Sequence, residues 1–359
     1  MIVNQSRLNR VVENMKKEHL KQILVTSTAS FFYLTGQWIE PIERLLVLYI
    51  QDSGKTAVFG NELLGLKSHE GVELYTHGDS DNPISDLAKV LLPGEVGVDK
   101  FWPAKFLIGL MKERPDIHPV EGSGPVDHAR MLKDSEEIKA MEHASKINDF
   151  VMQQAMGLLK EGIRENEVAN QIEKLYAAKG GDRSPEGQVV SFGVNASDPH
   201  HWSADTTLSI GNGIVLDIFN PIKRYWCDMT RTVFYRKVNE EQKEVYDVCR
   251  RANLAAEAMI RPGVPMCDID RTARQMIEDA GYGAYFTHRL GHGCGLECHE
   301  IPDNGAANKM LAQPGMVFSV EPGIYLPDKL GVRIEDLVLV THDGCKVLNQ
   351  VPKDLKVID

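Results

Sequence analysis

Four carboxylates interrupt apolar, strand-like runs in the second half of the chain, and they restrict its possible folds more than any other feature. Asp217 lies within the run Ile214–Phe219, and Asp228 begins the run Asp228–Tyr235. If the two runs pair as a hairpin centred on the loop between them, Asp217 falls opposite Asp228, with Cβ atoms about 5 Å apart on one face. Two like charges at that distance require a cation, so the pattern predicts a metal-binding hairpin.

A second pair of acidic residues repeats this arrangement near the C-terminus. Glu321 and Glu335 end two apolar runs that flank a loop centred near Asp328. A symmetric hairpin places Glu321 opposite Glu335. Arg333 then lies on the same face, where it is suited to orient a carboxylate or to receive an anionic group. Two such hairpins predict one shared site.

Between the hairpins, residues 288–302 form a turn-rich segment that contains His288, His292 and His299. Three glycines surround His292 and allow the backbone to approach other groups closely. Four carboxylates and one imidazole make an oxygen-rich ligand set, which suits two divalent cations such as Mn²⁺, Co²⁺ or Zn²⁺. Their four negative charges balance two such ions.

These residues are similar to the motifs of the pita-bread metallopeptidases, in the branch of the Xaa-Pro dipeptidases (prolidases) and aminopeptidases P. The metal ligands of that family occur in the order Asp, Asp, His, Glu, Glu, and this sequence has the same order at similar spacing. The resemblance implies that Asp228 and Glu335 bridge two metal ions, of which Mn²⁺ is the first choice. It also implies that Asp217 completes the shell of one ion, and that His292 and Glu321 complete that of the other.

Further residues match positions that handle substrate in this family. They are His200, His288, His299 and Arg333. The resemblance implies that these side chains contact the scissile carbonyl or the substrate carboxylate and relay protons, and that Glu321 acts as general base besides binding metal. His201 stands beside His200 as an alternative, but the preceding proline favours His200.

The order of predicted elements indicates two domains. In the first third of the chain, short β-like runs alternate with helical stretches, and downstream helices alternate with hairpins, which predicts an α+β domain with a largely antiparallel sheet. The turn-rich segment Glu121-Gly-Ser-Gly-Pro125 is predicted to link them, and Asp134 with Glu137 predicts a capping box at the start of a long helix. The resemblance implies a smaller creatinase-type α/β domain at 1–130 and a pita-bread catalytic domain at 131–359. No internal repeat is visible.

The composition excludes several classes of protein. With 51 acidic against 40 basic residues the net charge is −11, which argues against a nucleic-acid or anionic-membrane partner. The N-terminus lacks the apolar core of a signal peptide, and no apolar run is long enough to cross a membrane, so we expect a cytoplasmic protein. The six cysteines are then expected to be reduced thiols.

The predicted function is metal-dependent hydrolysis of the peptide bond before proline, in Xaa-Pro dipeptides. The short N-terminal domain favours this dipeptidase over the alternative, an aminopeptidase P that removes the first residue of longer Xaa-Pro peptides. A creatinase-like hydrolase and a non-catalytic pita-bread protein are further alternatives, although both lack the full ligand set. The resemblance also implies a homodimer.

Overall fold

The computed structural model describes residues 3–67, 71–184 and 187–359, and the chain divides into two compact units, Met1–Arg130 and Met131–Asp359. The helices of the first unit are α1 (Gln5–Lys17), α2 (Thr28–Thr35), α3 (Ser85–Val90), α4 (Ala104–Glu113) and α5 (Gly124–Met131), with a 3₁₀ turn at Glu62–Leu64. Its strands are β1 (Gln22–Val25), β2 (Leu46–Gln51), β3 (Thr56–Asn61), β4 (Glu73–His77), β5 (Gly94–Val98) and β6 (Ile117–Glu121). They form one mixed sheet in the order β4-β3-β2-β1-β5-β6.

The segment predicted as a linker is instead part of the regular structure. Glu121 is the last residue of β6, and α5 begins at Gly124. A Cβ atom at Gly122 would lie 2.3 Å from the main-chain carbonyl carbon of Gly97, so the backbone there passes too close for a side chain. Pro125 lies in the first turn of α5, where proline is well tolerated. These turn-prone residues therefore permit close packing and begin a helix.

The second unit combines helix pairs with hairpins. Its helices are α6 (Ser135–Leu158), α7 (Glu165–Ala178), α8 (Glu240–Met259) and α9 (Met266–Asp279), with 3₁₀ turns at Gly193–Ser197 and Gly283–Tyr285. Its strands are β7 (Val189–Phe192), β8 (Gly213–Ile222), β9 (Tyr225–Tyr235), β10 (Gly291–Gly293), β11 (Glu300–Asn304), β12 (Val317–Val320), β13 (Gly323–Leu326), β14 (Leu330–Arg333), β15 (Asp336–Val340), β16 (Cys345–Val347) and β17 (Val357–Ile358). The sheets are β11-β10-β12-β15-β16, β17-β9-β8-β7 and β13-β14, and every pairing is antiparallel except that of β17 with β9.

The long helix α6 begins where the sequence predicts it. The Asp134 carboxylate accepts hydrogen bonds from the backbone N–H groups of Glu136 and Glu137, and the Glu137 side chain accepts one from the N–H of Asp134. The predicted capping box is therefore confirmed. Within the described ranges, none of the helices is both long enough and apolar enough to span a lipid bilayer.

The second unit contains two similarly built halves that the sequence does not reveal. Helix α6 packs on β8 and β9, and α7 packs on β7. Helix α8 packs on strands of the later hairpin, and α9 packs on α8 and β11, which gives two hydrophobic clusters. Each helix pair is joined through a glycine with positive φ, Gly162 and Gly263. Their N–H groups donate at 2.9 Å to the carbonyls of Leu208 and Ala312, respectively. The halves thus share a glycine and a backbone hydrogen bond at the junction of each helix pair.

The register predicted for the first hairpin is wrong by two residues. Asp217 pairs with Thr230, and Asp228 pairs with Phe219, because the strands turn at Lys223-Arg224, one position later than predicted. Both turn residues have positive φ, 50° and 75°. A register shift of two residues keeps each side chain on its face, so the two aspartates remain on the same face as a diagonal pair.

The second hairpin is centred on Asp328, and its register would place Glu321 opposite Glu335. Both strands are interrupted at these glutamates, which separate the pair β12–β15 from the pair β13–β14. The N–H of Glu321 donates instead to the carbonyl of Leu290, and that of Glu335 donates to the carbonyl of Thr230. The second hairpin is therefore tied to its neighbours where its carboxylates lie.

Candidate metal centre and active site

A cavity of about 460 Å³ in the second unit is lined by every residue that the sequence predicts for the site. They are His200, Asp217, Asp228, His288, His292, His299, Glu321, Arg333 and Glu335. His201, the alternative to His200, is absent from the lining residues, and its Nε2 lies 2.8 Å from a carboxylate oxygen of Glu165. Residues separated by more than 130 positions in the chain thus meet around one space.

Three of these residues form a compact, buried cluster. Potential ligand atoms of Asp228, His292 and Glu335 all lie within 4.8 Å of one another. The Nε2 atom of His292 is 3.3 Å from Oε1 of Glu321 and 3.8 Å from Oδ2 of Asp228. Its Nδ1 lies 3.2 Å from the carbonyl oxygen of Gly293, which favours the tautomer protonated at Nδ1. The Nε2 lone pair then points towards carboxylate oxygens, an arrangement that calls for a cation between them.

Arg333 connects the two hairpins. Its Nη2 donates to Oδ2 of Asp217 at 2.6 Å, and its Nε donates to Oγ1 of Thr230 at 3.1 Å. Its Nη1 donates to the hydroxyl of Tyr325 at 2.8 Å and to the carbonyl of Pro199 at 3.2 Å. Of the two roles that the sequence suggests for Arg333, the contacts favour orientation of a carboxylate.

Two hydroxyl groups orient predicted ligands, and the sequence reasoning missed both. Thr230 Oγ1 donates to Oε2 of Glu335 at 2.7 Å, and Ser319 Oγ donates to Oε1 of Glu321 at 3.0 Å. Thr230 and Ser319 stand two positions from Asp228 and Glu321 along the chain, and side chains two apart in a strand share a face. That spacing was the available sequence signal for these two residues.

Other side chains complete the walls of the cavity. The thiol of Cys298 lies 3.4 Å from Oδ2 of Asp228. Arg289 is exposed and forms an ion pair with Asp303, and the side chain of Trp202 is 68% exposed. The cavity therefore joins an acidic, buried floor to a wall that carries an accessible guanidinium group.

Comparison with known proteins decides the family. Residues 139–342 match metallopeptidase family M24, and residues 7–132 match the creatinase/prolidase N-terminal domain. The chain belongs to metallopeptidase family M24. The predicted family is therefore confirmed, and so is the predicted architecture of a creatinase-type N-terminal domain followed by a pita-bread catalytic domain.

The similarity to M24 relatives extends over both domains. The chain is 36% identical over 362 residues to YkvY of Bacillus subtilis, which carries a provisional dipeptidase name, and the match covers 98% of this chain and all of that protein. The structure resembles dipeptidase PepE from Mycobacterium ulcerans, with a TM-score of 0.91, 32% identity, and coverage of 98% of this chain and 97% of that one. It also resembles a prolidase from Thermococcus sibiricus, with a TM-score of 0.89, 31% identity, and coverage of 99% and 100%.

The carboxylates of the M24 site strongly perturb one another. Burial, and then the charges of Asp217 and Glu321, raise the pKa of Asp228 well above its usual value. Burial, and then the charges of Asp228 and Glu321, do the same to the pKa of Glu335. Burial also raises the pKa of Glu321. A bound cation would relieve this repulsion.

The donor atoms fit divalent cations. In Asp217, Asp228 and Glu335, one carboxylate oxygen is bonded within the protein. The other is buried and has no hydrogen-bond partner among the residues that the structure describes. Burial lowers the pKa of His292 to about 4, so its ring is neutral near pH 7 and able to bind metal. Free carboxylate oxygens beside a neutral imidazole are the donors that Mn²⁺, Co²⁺ and Zn²⁺ accept.

Proposed function

We propose that this M24 metallopeptidase is a dipeptidase that hydrolyses the peptide bond before proline, with two divalent cations as cofactors. The observation that carries the proposal is the meeting of five donor side chains, with three unbonded carboxylate oxygens, around one cavity. Asp228 and Glu335 would be shared by both ions, Asp217 would complete one, and His292 with Glu321 would complete the other. Mn²⁺ is the first choice, with Co²⁺ or Zn²⁺ as alternatives.

Glu321 is suited to accept the proton of the attacking water. When bound, the cations would lower the pKa of a water molecule and polarise the scissile carbonyl. Burial raises the pKa of Glu321, which makes its carboxylate a better base. The hydroxyl of Ser319, which donates to Oε1 of Glu321, fixes the orientation of that carboxylate.

Three further histidines would handle the substrate, and burial favours the neutral ring in two of them. Burial lowers the pKa of His299 to about 4, and its ring centroid lies 3.9 Å from that of His292. Burial also lowers the pKa of His288, whose Nε2 lies 2.9 Å from the hydroxyl of Tyr325. We assign His299 and His200 to stabilising charge on the scissile carbonyl oxygen, and His288 to orienting the substrate.

The chemistry of the proline amide and the relatives both support specificity for proline. The proline nitrogen in this bond carries no hydrogen, so peptidases that align substrates through an N–H group at that position fail on this bond. The prolidase from Thermococcus sibiricus, similar over the whole chain, supports specialisation for this bond. The dipeptidase from Mycobacterium ulcerans supports a short substrate.

Arg289 provides a reason for preferring dipeptides. Arg333 and Arg289 both line the cavity. Arg333 is engaged by Asp217, whereas Arg289 is exposed and forms an ion pair with Asp303. In an Xaa-Pro dipeptide, proline is the last residue and carries the free carboxylate. We assign Arg289 to bind that carboxylate, which a longer peptide lacks at this position.

The deciding experiment is a mass-spectrometric cleavage assay of the Mn²⁺-loaded protein. The substrates are Xaa-Pro dipeptides, Xaa-Pro-Xaa tripeptides and matching Xaa-Ala dipeptides, with EDTA as control. We expect EDTA-sensitive cleavage of Xaa-Pro dipeptides alone. Release of the first residue from tripeptides would make the protein an aminopeptidase P, and equal cleavage of Xaa-Ala would remove the proline specificity. No cleavage of any substrate would favour a creatinase-like or non-catalytic protein.

A variant of Arg289 separates carboxylate binding from chemistry. Arg289→Met should raise the KM for Xaa-Pro dipeptides about tenfold or more, because a hydrogen bond to a charged group is lost, and should leave kcat nearly unchanged. Arg271→Met is the matched control, because Arg271 is an exposed arginine that pairs with Asp268 and is absent from the lining of the cavity. Equal KM values for both variants would exclude the role of Arg289. The homodimer implied by the resemblance stays a prediction that the molar mass in solution tests.

A further inference from the structure

A fully buried arginine lies directly behind the proposed metal centre. Arg231 is 1% exposed and stands between Thr230 and Thr232 in β9, so its side chain leaves the strand on the face opposite to that of Thr230. Its Nη1 donates to the carbonyl of Thr230 at 2.9 Å and to that of Glu335 at 2.6 Å. The side chains of these two residues are bonded to each other on the site face. Arg231 therefore fixes the backbone of a predicted ligand and of its hydroxyl partner together.

The rest of the guanidinium group binds the C-terminal segment 348–356. Nε and Nη2 donate to the carbonyl of Val351 at 3.2 and 2.7 Å, and Nη2 also donates to Oδ1 of Asp336 at 2.7 Å. The other oxygen of Asp336 lies 2.7 Å from Nζ of Lys353, which belongs to the same segment and also contacts Glu257 at 2.6 Å. A chain of buried charges thus runs from the C-terminal segment to the backbone of Glu335.

Each charge in this buried chain of ion pairs is needed to compensate its neighbours. Two cations, Arg231 and Lys353, face two anions, Asp336 and Glu257, and removal of one leaves a buried charge without compensation. The segment also borders a second cavity, of about 340 Å³, whose lining includes Arg231 and Leu355. The segment is also anchored by buried apolar side chains, Leu348 and Val351, so the charged contacts add to its packing.

We propose that Arg231 is a positioning residue for Glu335, and that it couples the attachment of segment 348–356 to cation binding at the metal centre. The inference rests on the metal centre proposed above. Coupling between two sites is reciprocal, so a bound cation should hold the segment more firmly, and a loosened segment should weaken cation binding.

The first test uses the unmodified protein. Amide hydrogen exchange is measured after EDTA treatment and after saturation with Mn²⁺. We expect slower exchange in residues 348–356 with Mn²⁺, whereas α4 in the other unit should not change. Unchanged exchange in residues 348–356, in protein shown by calorimetry to bind Mn²⁺, would overturn the coupling.

The second test uses two lysines of the same segment. Lys353→Met removes one member of the charge chain, and Lys356→Met is the control, since Lys356 is exposed and its Nζ lies 3.7 Å from the sulfur of Met156. We expect Lys353→Met to weaken Mn²⁺ binding about tenfold, the lower range for residues that support metal ligands, and Lys356→Met to leave it unchanged. Arg231→Lys keeps the positive charge but loses the planar guanidinium group and its several N–H donors. It should weaken Mn²⁺ binding to a similar extent.

The outcomes separate the two proposals. If the unmodified protein binds no cation, the proposed metal centre fails. If it binds Mn²⁺ and Lys353→Met binds equally well, the metal centre stands and the coupling is wrong. Should Lys353→Met not fold, the hydrogen-exchange comparison on the unmodified protein decides alone.

Discussion

The two hairpins of the catalytic domain present their carboxylates in different ways. In the first, β8 and β9 pair without interruption from Gly213 to Ile222, and Asp217 and Asp228 stand as a diagonal pair on its face. In the second, the pairing is broken at the ligands, and Glu321 and Glu335 lie in the gap between two separate strand pairs. A continuous ladder therefore positions the short aspartates, whereas the backbone N–H groups of the longer glutamates are bonded to segments outside their own hairpin.

The difference shows where the site is vulnerable. The backbone and side chain of Glu335 are both bonded to Thr230 of the first hairpin, and Arg333 of the second hairpin is bonded to Asp217 of the first. The second set of ligands is thus held against the first by a few cross-links. Changes to a ligand should affect function most, changes to a cross-link less, and changes to the turn least.

The largest effect is expected from Asp228→Asn. The amide is isosteric with the carboxylate but removes a charge that we assign to both cations, so kcat/KM should fall more than about 100-fold, beyond the range for supporting residues. Calorimetry should show loss of Mn²⁺ binding, and circular dichroism should show a retained fold. Asp343→Asn, at an exposed acid, is the control. Turnover of Asp228→Asn at the rate of the unmodified protein would contradict the two-cation site.

A second prediction concerns the pH dependence of the metal-free protein. Burial raises the pKa of Asp228 and Glu335 in the folded state. A group with a raised folded pKa stabilises the fold at low pH, and that stability is lost as pH rises through the folded pKa. Burial lowers the pKa of His292 and His299 to about 4 in the folded state. These two histidines therefore make stability increase with pH, but only below the ordinary histidine pKa of about 6.5.

The melting temperature of the metal-free protein should therefore fall as pH rises above the ordinary histidine pKa towards the raised pKa of these carboxyl groups. Scanning calorimetry in EDTA measures this change of melting temperature with pH. Asp228→Asn should reduce it, because the titrating acid is gone. Saturation with Mn²⁺ should abolish this pH dependence of the melting temperature, since cation binding requires ionised carboxylates. A melting temperature that increases with pH over this range in metal-free protein would refute the assignment of buried, mutually repelling acids.

A third prediction compares a cross-link between the hairpins with one inside a hairpin. Thr230→Val removes the hydroxyl that donates to Glu335, and Ser319→Ala removes the one that donates to Glu321. We expect Thr230→Val to weaken Mn²⁺ binding about tenfold, because Glu335 lacks a continuous ladder to position it. Ser319→Ala should have the smaller effect, since Ser319 lies two positions from Glu321 in the same hairpin and its hydroxyl does not tie that ligand to the other hairpin. Titration calorimetry of both variants tests the order, and a larger loss in Ser319→Ala would reverse the comparison.

The sequence was sufficient to place the two aspartates on one face, and insufficient for the turn and for the groups that support the ligands. The faces could be predicted because side chains alternate between the two faces of a strand, so a register error of two residues leaves each side chain on the same face. Asp217 and Asp228 therefore share a face in either register. The turn could not be located, since Lys223-Arg224 lacks the glycine or asparagine that marks such turns. The roles of Thr230 and Arg231 depend on partners about a hundred positions away, which no local pattern encodes.

That turn provides the smallest expected effect. Lys223 has a φ of 50° and is exposed, and asparagine tolerates this left-handed conformation better than lysine does. Lys223→Asn should raise the free energy of unfolding by about 0.5 kcal/mol, a fraction of the usual cost of this conformation. Lys237→Asn, at an exposed lysine that lacks positive φ, is the control. Because the register does not change, Mn²⁺ affinity and kcat should stay the same. A more stable variant with weaker Mn²⁺ binding would instead show that the turn, and not the continuous ladder, sets the positions of the two aspartates.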